Sequence, residues 1–242
     1  MGLDREAGTL VMVAHGTRSP QGEETLRALT HLVRRQRPAT RVELAYLEIS
    51  RPLLADLLPT IDGPVTVVPL LLAGGYHVHI DLPEVIAATR PDAVVARPLG
   101  PHPLLADALS HTLFRAGLKA TDTVILGAAG SSDPAALADV RAAARLLAVR
   151  LARPVTAAFA SAGTPTVPDA MERARSSPAA RVVIASYLLA PGFFQTRLET
   201  ATADLVTPPL GADPDVATLI WTRHDEATHQ PTRELTRTCV TP

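Results

Sequence analysis

Short apolar runs, many of them β-branched, alternate along this chain with longer stretches of Ala, Leu and Arg that carry helical period. The runs predict strands at Thr9–Ala14, Arg41–Leu47, Val65–Leu71 and Ala93–Ala96. They recur at Thr123–Leu126, Val155–Phe159, Arg181–Leu188 and Val216–Trp221. Val65-Thr66-Val67-Val68-Pro69-Leu70-Leu71-Leu72 is apolar on both faces, as expected of a parallel sheet covered by helices on each side. The segments between the strands carry helix-start signals. Ser19 before Pro20, with Glu23 and Glu24 close behind, supplies an N-cap, a first-turn proline and early negative charge. Asp133-Pro134 repeats the device. Alternating strand and helix predicts doubly wound α/β halves with right-handed crossovers.

The pattern is written twice. Leu10-Val11-Met12-Val13-Ala14-His15-Gly16-Thr17-Arg18-Ser19-Pro20 lies against Val124-Ile125-Leu126-Gly127-Ala128-Ala129-Gly130-Ser131-Ser132-Asp133-Pro134. Ala45–Pro52 lies against Ala158–Pro165, and Leu71–His77 against Leu188–Phe194. In this register His15 faces Ala129, Glu48 faces Ser161 and His77 faces Phe194. The second copy keeps the strand-and-loop pattern and loses each polar group able to do chemistry. That asymmetry joins His15, Glu48 and His77 as one candidate site. It also predicts two similar domains, residues 1–119 and 120–227, with the boundary within Ala116–Asp122 after a helix over Leu104–Arg115. Residues 228–242 read as a polar tail.

In open parallel sheets ligands bind beyond the carboxyl ends of the strands. His15, Glu48 and His77 each fall at or just past a predicted strand end, so the fold brings them to one rim. Each has a plain structural alternative. His15 can cap or pack, although Ala129 fills its place in a copy that still looks foldable. Glu48 can be a solvated strand end, but a carboxylate is costly to bury there unless paired or bound to a cation. His77 and His79 share a face if the chain stays extended; His77 is favoured, with His79 as a neighbour. Asp81 most simply N-caps the helix that begins at Leu82 or Pro83. Two imidazoles and one carboxylate suit a borderline divalent ion such as Fe²⁺, Co²⁺ or Ni²⁺. So few ligands leave positions open, which fits a site that transfers metal.

Composition narrows the reading. Apolar residues make up 47% of the 242 and aromatics only 3%, so the cores are built from Val, Leu and Ala. A net charge of −1 leaves no electrostatic footprint for nucleic acid, and no basic amphipathic segment addresses a membrane surface. The longest apolar stretch, Val65–Ile80, is broken by Pro69, Gly74, Gly75 and two His, and is too short to span a bilayer. Met1–Gly8 lacks the apolar core of a signal peptide. The single Cys239 can close no internal disulfide and provides no Cys-ligated cluster, which fits a cytoplasmic setting.

Three segments together carry a family resemblance. Val13-Ala14-His15-Gly16-Thr17-Arg18, Tyr46-Leu47-Glu48-Ile49-Ser50-Arg51-Pro52 and Val68–Pro83, with its run of leucines, His77 and Asp81-Leu82-Pro83, occur in order at compatible spacing. They resemble the class II chelatases of the sirohydrochlorin and cobalamin pathways, of the CbiX/SirB type, in their long two-repeat form. Ala14 departs from the Gly that many relatives carry there. The resemblance implies two chelatase-like α/β domains facing a central cleft. It implies insertion of Fe²⁺ or Co²⁺ into sirohydrochlorin without nucleotide hydrolysis, the metal being a substrate and no cofactor being held permanently. His15 and His77 then bind metal and take protons, and Glu48 is the accompanying carboxylate. Arg18 and Arg51 on the rim loops, with Ser131 and Phe194 from the second copy, are the expected tetrapyrrole contacts, though Phe193 and Phe194 equally suit an ordinary core. A duplicated chain supplies both cleft walls, so a monomer suffices.

Other classes fit less well. A strand followed by His-Gly-x-Arg is shared with histidine phosphatases, but those place Arg immediately before the His, where Ala14 stands, and they leave the repeat unexplained. A non-catalytic metal or tetrapyrrole carrier remains open. Nucleotide-dependent chemistry lacks both the G-x-G-x-x-G and Walker-type loops, and the G-x-S-x-G elbow is absent. Between iron, cobalt and nickel the donor set does not choose; iron is the first expectation, cobalt the alternative.

Overall fold

The computed structural model describes residues 8–74, 80–176 and 181–229. The first half runs β1 (Thr9–Ala14), α1 (Pro20–Gln36), β2 (Val42–Tyr46), α2 (Leu54–Leu57), β3 (Val65–Pro69), α3 (Leu82–Thr89), β4 (Val94–Val95) and α4 (Pro103–Arg115). The second half repeats it as β5 (Thr123–Ala128), α5 (Pro134–Leu151), β6 (Val155–Phe159), α6 (Val167–Arg175), β7 (Val182–Tyr187), α7 (Phe193–Glu199), β8 (Leu205–Val206) and α8 (Pro214–His229). Each half forms a four-stranded parallel sheet, ordered β2-β1-β3-β4 and β6-β5-β7-β8. The central strand of each pairs with both neighbours in matching register: Val13 lies beside Ala45 and Pro69, as Gly127 lies beside Ala158 and Ser186.

Strand alternation sorts the side chains into three cores. Leu10, Met12 and Ala14 of β1 face inward with Val124, Leu126 and Ala128 of β5 and with α1, α4, α5 and α8. Val11 and Val13 face outward beneath α2 and α3. Ile125 does the same in the second half beneath α6. The largest core therefore belongs to both halves, with four helices between two sheets. The terminal helices cross over: α8 packs on β3, β4 and α1 of the first half, while α4 packs on α5 and β7 of the second. Several bonds hold α8 in place. Trp221 Nε1 donates to the Val33 carbonyl at 3.1 Å. Arg223, 4% exposed, donates to the carbonyls of Pro98 at 2.8 Å and Leu99 at 3.1 Å. The Arg37 guanidinium grips both oxygens of Asp225 at 2.6 Å and lies 4.5 Å over the Trp221 ring.

The helix-start signals are realised. Ser19 Oγ accepts from Gly22 N at 3.2 Å, and Asp133 Oδ1 from Ala135 N at 2.8 Å. Three readings change. Val216–Trp221 is not a strand but the middle of α8, and the outermost strand is Leu205–Val206. Lying between helices and sheet, α8 buries Val216, Ala217, Leu219, Ile220 and Trp221 on most of its circumference, so its sequence reads as a continuous apolar run. The same helix continues to His229, so Thr228 and His229 belong to α8 and not to a tail; residues 230–242 lie outside the described residues. Asp81 occupies the position before α3, but its backbone is already helical (φ −62°, ψ −47°) and its side chain makes no capping bond.

Candidate functional site

The site is built on two loops that are zipped together beyond β1 and β2. Leu47 N donates to the Ala14 carbonyl at 2.9 Å, and Glu48 N to the His15 carbonyl at 3.0 Å. The Ser50 hydroxyl accepts from Thr17 N at 3.1 Å and donates to the Thr17 carbonyl at 3.0 Å. Gly16 makes the approach possible. Its φ is +114°, and a Cβ there would sit 1.9 Å from the Glu48 carbonyl oxygen. The chain can turn here only with glycine. Across this zipper His15 Nε2 meets Glu48 Oε1 at 3.1 Å, with side chains 35% and 56% exposed. The imidazole and the carboxylate are thus both open to an arriving ion.

The second half has the same zipper without the donors. Ala160 N bonds the Ala128 carbonyl at 2.8 Å and Ser161 N the Ala129 carbonyl at 2.9 Å. Gly130, φ +97°, would place a Cβ 2.3 Å from the Ala162 carbonyl oxygen. The matching bonds fix the register: Ala129 takes the place of His15 and Ser161 that of Glu48. The Ser161 hydroxyl is spent on the Ala129 carbonyl at 2.6 Å.

His15 stands where two hollows meet. One, of about 580 Å³, lies between the His15–Ser19 loop and residues 188–195 of the other half, with Arg18, Ile49, Phe193 and Phe194 on its walls. The other, of about 530 Å³, lies between Leu70–Ala73 and the Ala128–Ser132 loop. These volumes are in the range of small-molecule sites. His15, Leu70, Leu71, Leu188, Leu189 and Phe194 line both. The two hollows are one cleft between the halves, related by the repeat.

The predicted residues divide accordingly. His15, Glu48, Arg18, Ser131 and Phe194 come together at the cleft, His15 and Glu48 by direct contact and the others as wall residues. Arg51 does not join them: it pairs with Asp56 at 3.0 Å and lines a separate hollow with Arg27, His31 and Tyr46. His77 and His79 lie outside the described residues. Among the described residues no three His, Cys, Asp or Glu side chains gather to hold a metal ion. The pair His15–Glu48 is the part of the expected ligand set that the described structure contains.

Sequence reasoning missed how the Leu70–Gly74 loop is anchored. The Tyr187 hydroxyl donates to the Leu72 carbonyl at 2.9 Å, and Gly74 N donates to Asp139 Oδ2 at 2.8 Å. Both anchors come from the second half. Burial pushes the Tyr187 phenol well above its usual range, so it stays a protonated donor. Neither residue belongs to a motif, and only the packed halves bring them to this loop.

Two such four-stranded parallel α/β halves are the architecture of chelatase-like proteins. SirB from Bacillus subtilis, solved with Fe3+, superposes with a TM-score of 0.78 at 22% identity, covering 92% of this chain and 96% of its own. CbiX, described as the terminal enzyme for biosynthesis of siroheme in denitrifying bacteria, superposes at 0.69 with 24% identity over 90% and 99%. The CbiX family model matches residues 9–116 and again 123–227, and the chain belongs to that family. Among curated relatives, a sirohydrochlorin cobaltochelatase of Priestia megaterium is 29% identical over 79% of this chain and 67% of its own length. A sirohydrochlorin ferrochelatase of the same organism is 24% identical over 82% and 79%.

Proposed function

We propose that this chain is a sirohydrochlorin chelatase, a lyase that inserts Fe²⁺ into sirohydrochlorin to give sirohaem without nucleotide hydrolysis. The observation that carries this is the His15–Glu48 pair on the cleft of a CbiX-family chain, present in one repeat and replaced by Ala129 and Ser161 in the other. Insertion exchanges two ring N–H protons for one divalent ion, so the site must shed water from the metal, hold it briefly and remove two protons. A neutral His15 Nε2 and the Glu48 carboxylate offer one nitrogen and one oxygen donor on the same side of the cleft, and His77 is the third ligand by motif. One imidazole nitrogen cannot hold the ion and take a proton together, so proton and metal alternate among the three groups. Glu48 also balances the cation's charge and orients His15.

The cleft accounts for the macrocycle. Its walls are largely apolar, suited to a flat ring, and Arg18 with the N-terminal ends of α1 and α5 suits peripheral carboxylates. Both walls come from one chain, so the enzyme acts as a monomer. Among the described residues no helix is long and apolar enough to cross a membrane.

Cobalt insertion is the second reading, favoured by the 29% identity to a relative named as a cobaltochelatase. Anaerobic absorbance spectroscopy with sirohydrochlorin and Fe²⁺, Co²⁺ or Ni²⁺ tests both. The expected result is fast metal-dependent conversion, reduced at least about 100-fold in His15→Ala, the scale of a lost acid–base group. Tight tetrapyrrole binding without acceleration would make the chain a carrier instead.

A further inference from the structure

Of the large apolar side chains exposed among the described residues, Ile49 and Phe193 line the same hollow of the cleft, one from each half. Ile49 is 51% exposed and Phe193 68%. Ile49 is also strained. Its φ is +65°, a left-handed conformation that a β-branched side chain rarely adopts. The second half shows that the zipper can be built without this strain. There the residue aligned with Ile49 is Ala162, which has no positive φ, and the left-handed step falls one residue later on Gly163 at +129°. The first half places Ser50 where Gly163 stands, and the Ser50–Thr17 bonds clamp the loop so that Ile49 takes the left-handed turn. Strain that a homologous loop avoids, beside a reactive pair, points to a functional role for the strained side chain. Phe193 is held opposite by an edge-to-face contact with Phe194 at 5.3 Å and by the Arg197 guanidinium 5.8 Å over its ring. An exposed aromatic ring and a branched aliphatic chain on facing walls match a flat, apolar ring system in between.

Resting on the chelatase reading, we infer that Ile49 and Phe193 are the jaws of the cleft: they grip the tetrapyrrole by its faces and hold its centre against His15 and Glu48. They are specificity residues and take no part in proton or metal transfer. Ile49→Asn keeps a residue that tolerates the left-handed turn and removes the apolar contact. Phe193→Ala removes the ring from an exposed position. Titration of metal-free sirohydrochlorin, followed by absorbance and ring fluorescence, should show about 10-fold weaker binding for each variant. The double variant should lose less than the product of the two, because both jaws hold one ligand. Ile49→Asn should melt no lower than the native chain, so that its loss of affinity is a loss of contact and not of folding.

Native binding with unchanged affinity in both variants would overturn the jaws and leave the chelatase reading intact. Failure of the native chain to bind or metallate sirohydrochlorin would remove the chelatase reading itself. Concentration-dependent dimerisation abolished by Phe193→Ala would assign these side chains to a second copy of the chain and overturn the inference.

Discussion

The two rims of the cleft share a backbone and differ in what they carry. In both, the residue after the central strand accepts a hydrogen bond from the second residue beyond the edge strand, at 3.0 Å for His15–Glu48 and 2.9 Å for Ala129–Ser161. In both, a glycine of positive φ lets the loops close to within a distance no Cβ would tolerate. The second rim shows that this scaffold stands without an imidazole or a carboxylate. Folding therefore does not require the donors of the first rim, and that is the support for the proposal that they serve chemistry. The second rim satisfies its own polar group locally, Ser161 on the Ala129 carbonyl, and offers the cleft a plain wall.

That contrast breaks most visibly at the pair itself. Glu48→Gln keeps the shape of the side chain and removes its charge and its capacity to take a proton; metal insertion should fall by about 100-fold. Ser161→Ala, at the matching place, should leave turnover within about twofold. Steady-state assays of the two variants side by side check this. The glycines come next. Gly16→Ala and Gly130→Ala both force a side chain into a left-handed turn against a carbonyl, and each should cost about 2–4 kcal/mol in denaturant unfolding. Below the melting range of both variants, only Gly16→Ala should also impair metal insertion, because it alone displaces Glu48 from His15.

Smaller effects test how the halves support one another. Tyr187→Phe removes the bond that anchors the half-buried Leu72 carbonyl to the second half, a loss of about 1–1.5 kcal/mol. The smallest effect concerns pH. The paired Arg37 guanidinium holds the Asp225 carboxyl well below the usual range, at about 2. Its folded pKa is thus depressed relative to roughly 3.9 in the unfolded chain. The stabilisation is complete above about pH 4 and is lost as pH falls from there toward 2. With both side chains partly exposed, solvent screening reduces it to about 1 kcal/mol. Arg37→Ala should lower stability by about that amount at pH 7 and lose the difference near pH 2, as measured by urea titration at each pH.

Much of this was legible in the sequence because parallel strands and helix caps write themselves locally. Residues Thr9–Ala14 and Val155–Phe159 form strands over the predicted spans, and Ser19-Pro20 and Asp133-Pro134 start helices as read. The donor pair was legible for a different reason. An internal copy served as the comparison, and polar residues replaced by Ala129 and Ser161 stood out without any outside alignment. What failed was set by tertiary context. The α8 helix is buried on so much of its surface that its apolar run reads as a strand, and the two-residue strand Leu205–Val206 is too short to leave a pattern. Arg51 sits in a matched motif yet turns to Asp56, because a motif fixes the backbone and not where a long side chain finds its partner. The left-handed turn at Ile49 has no local signal either, since a β-branched residue is the last choice for that conformation.

The most direct test is to give the first rim the second rim's residues. The double variant His15→Ala with Glu48→Ser should fold as the native chain does, melting within a few degrees of it and still binding sirohydrochlorin. It should insert neither Fe²⁺ nor Co²⁺ above the uncatalysed rate. If it inserted metal at near-native speed while folded, the chemistry would lie elsewhere and the account of the two rims would be wrong.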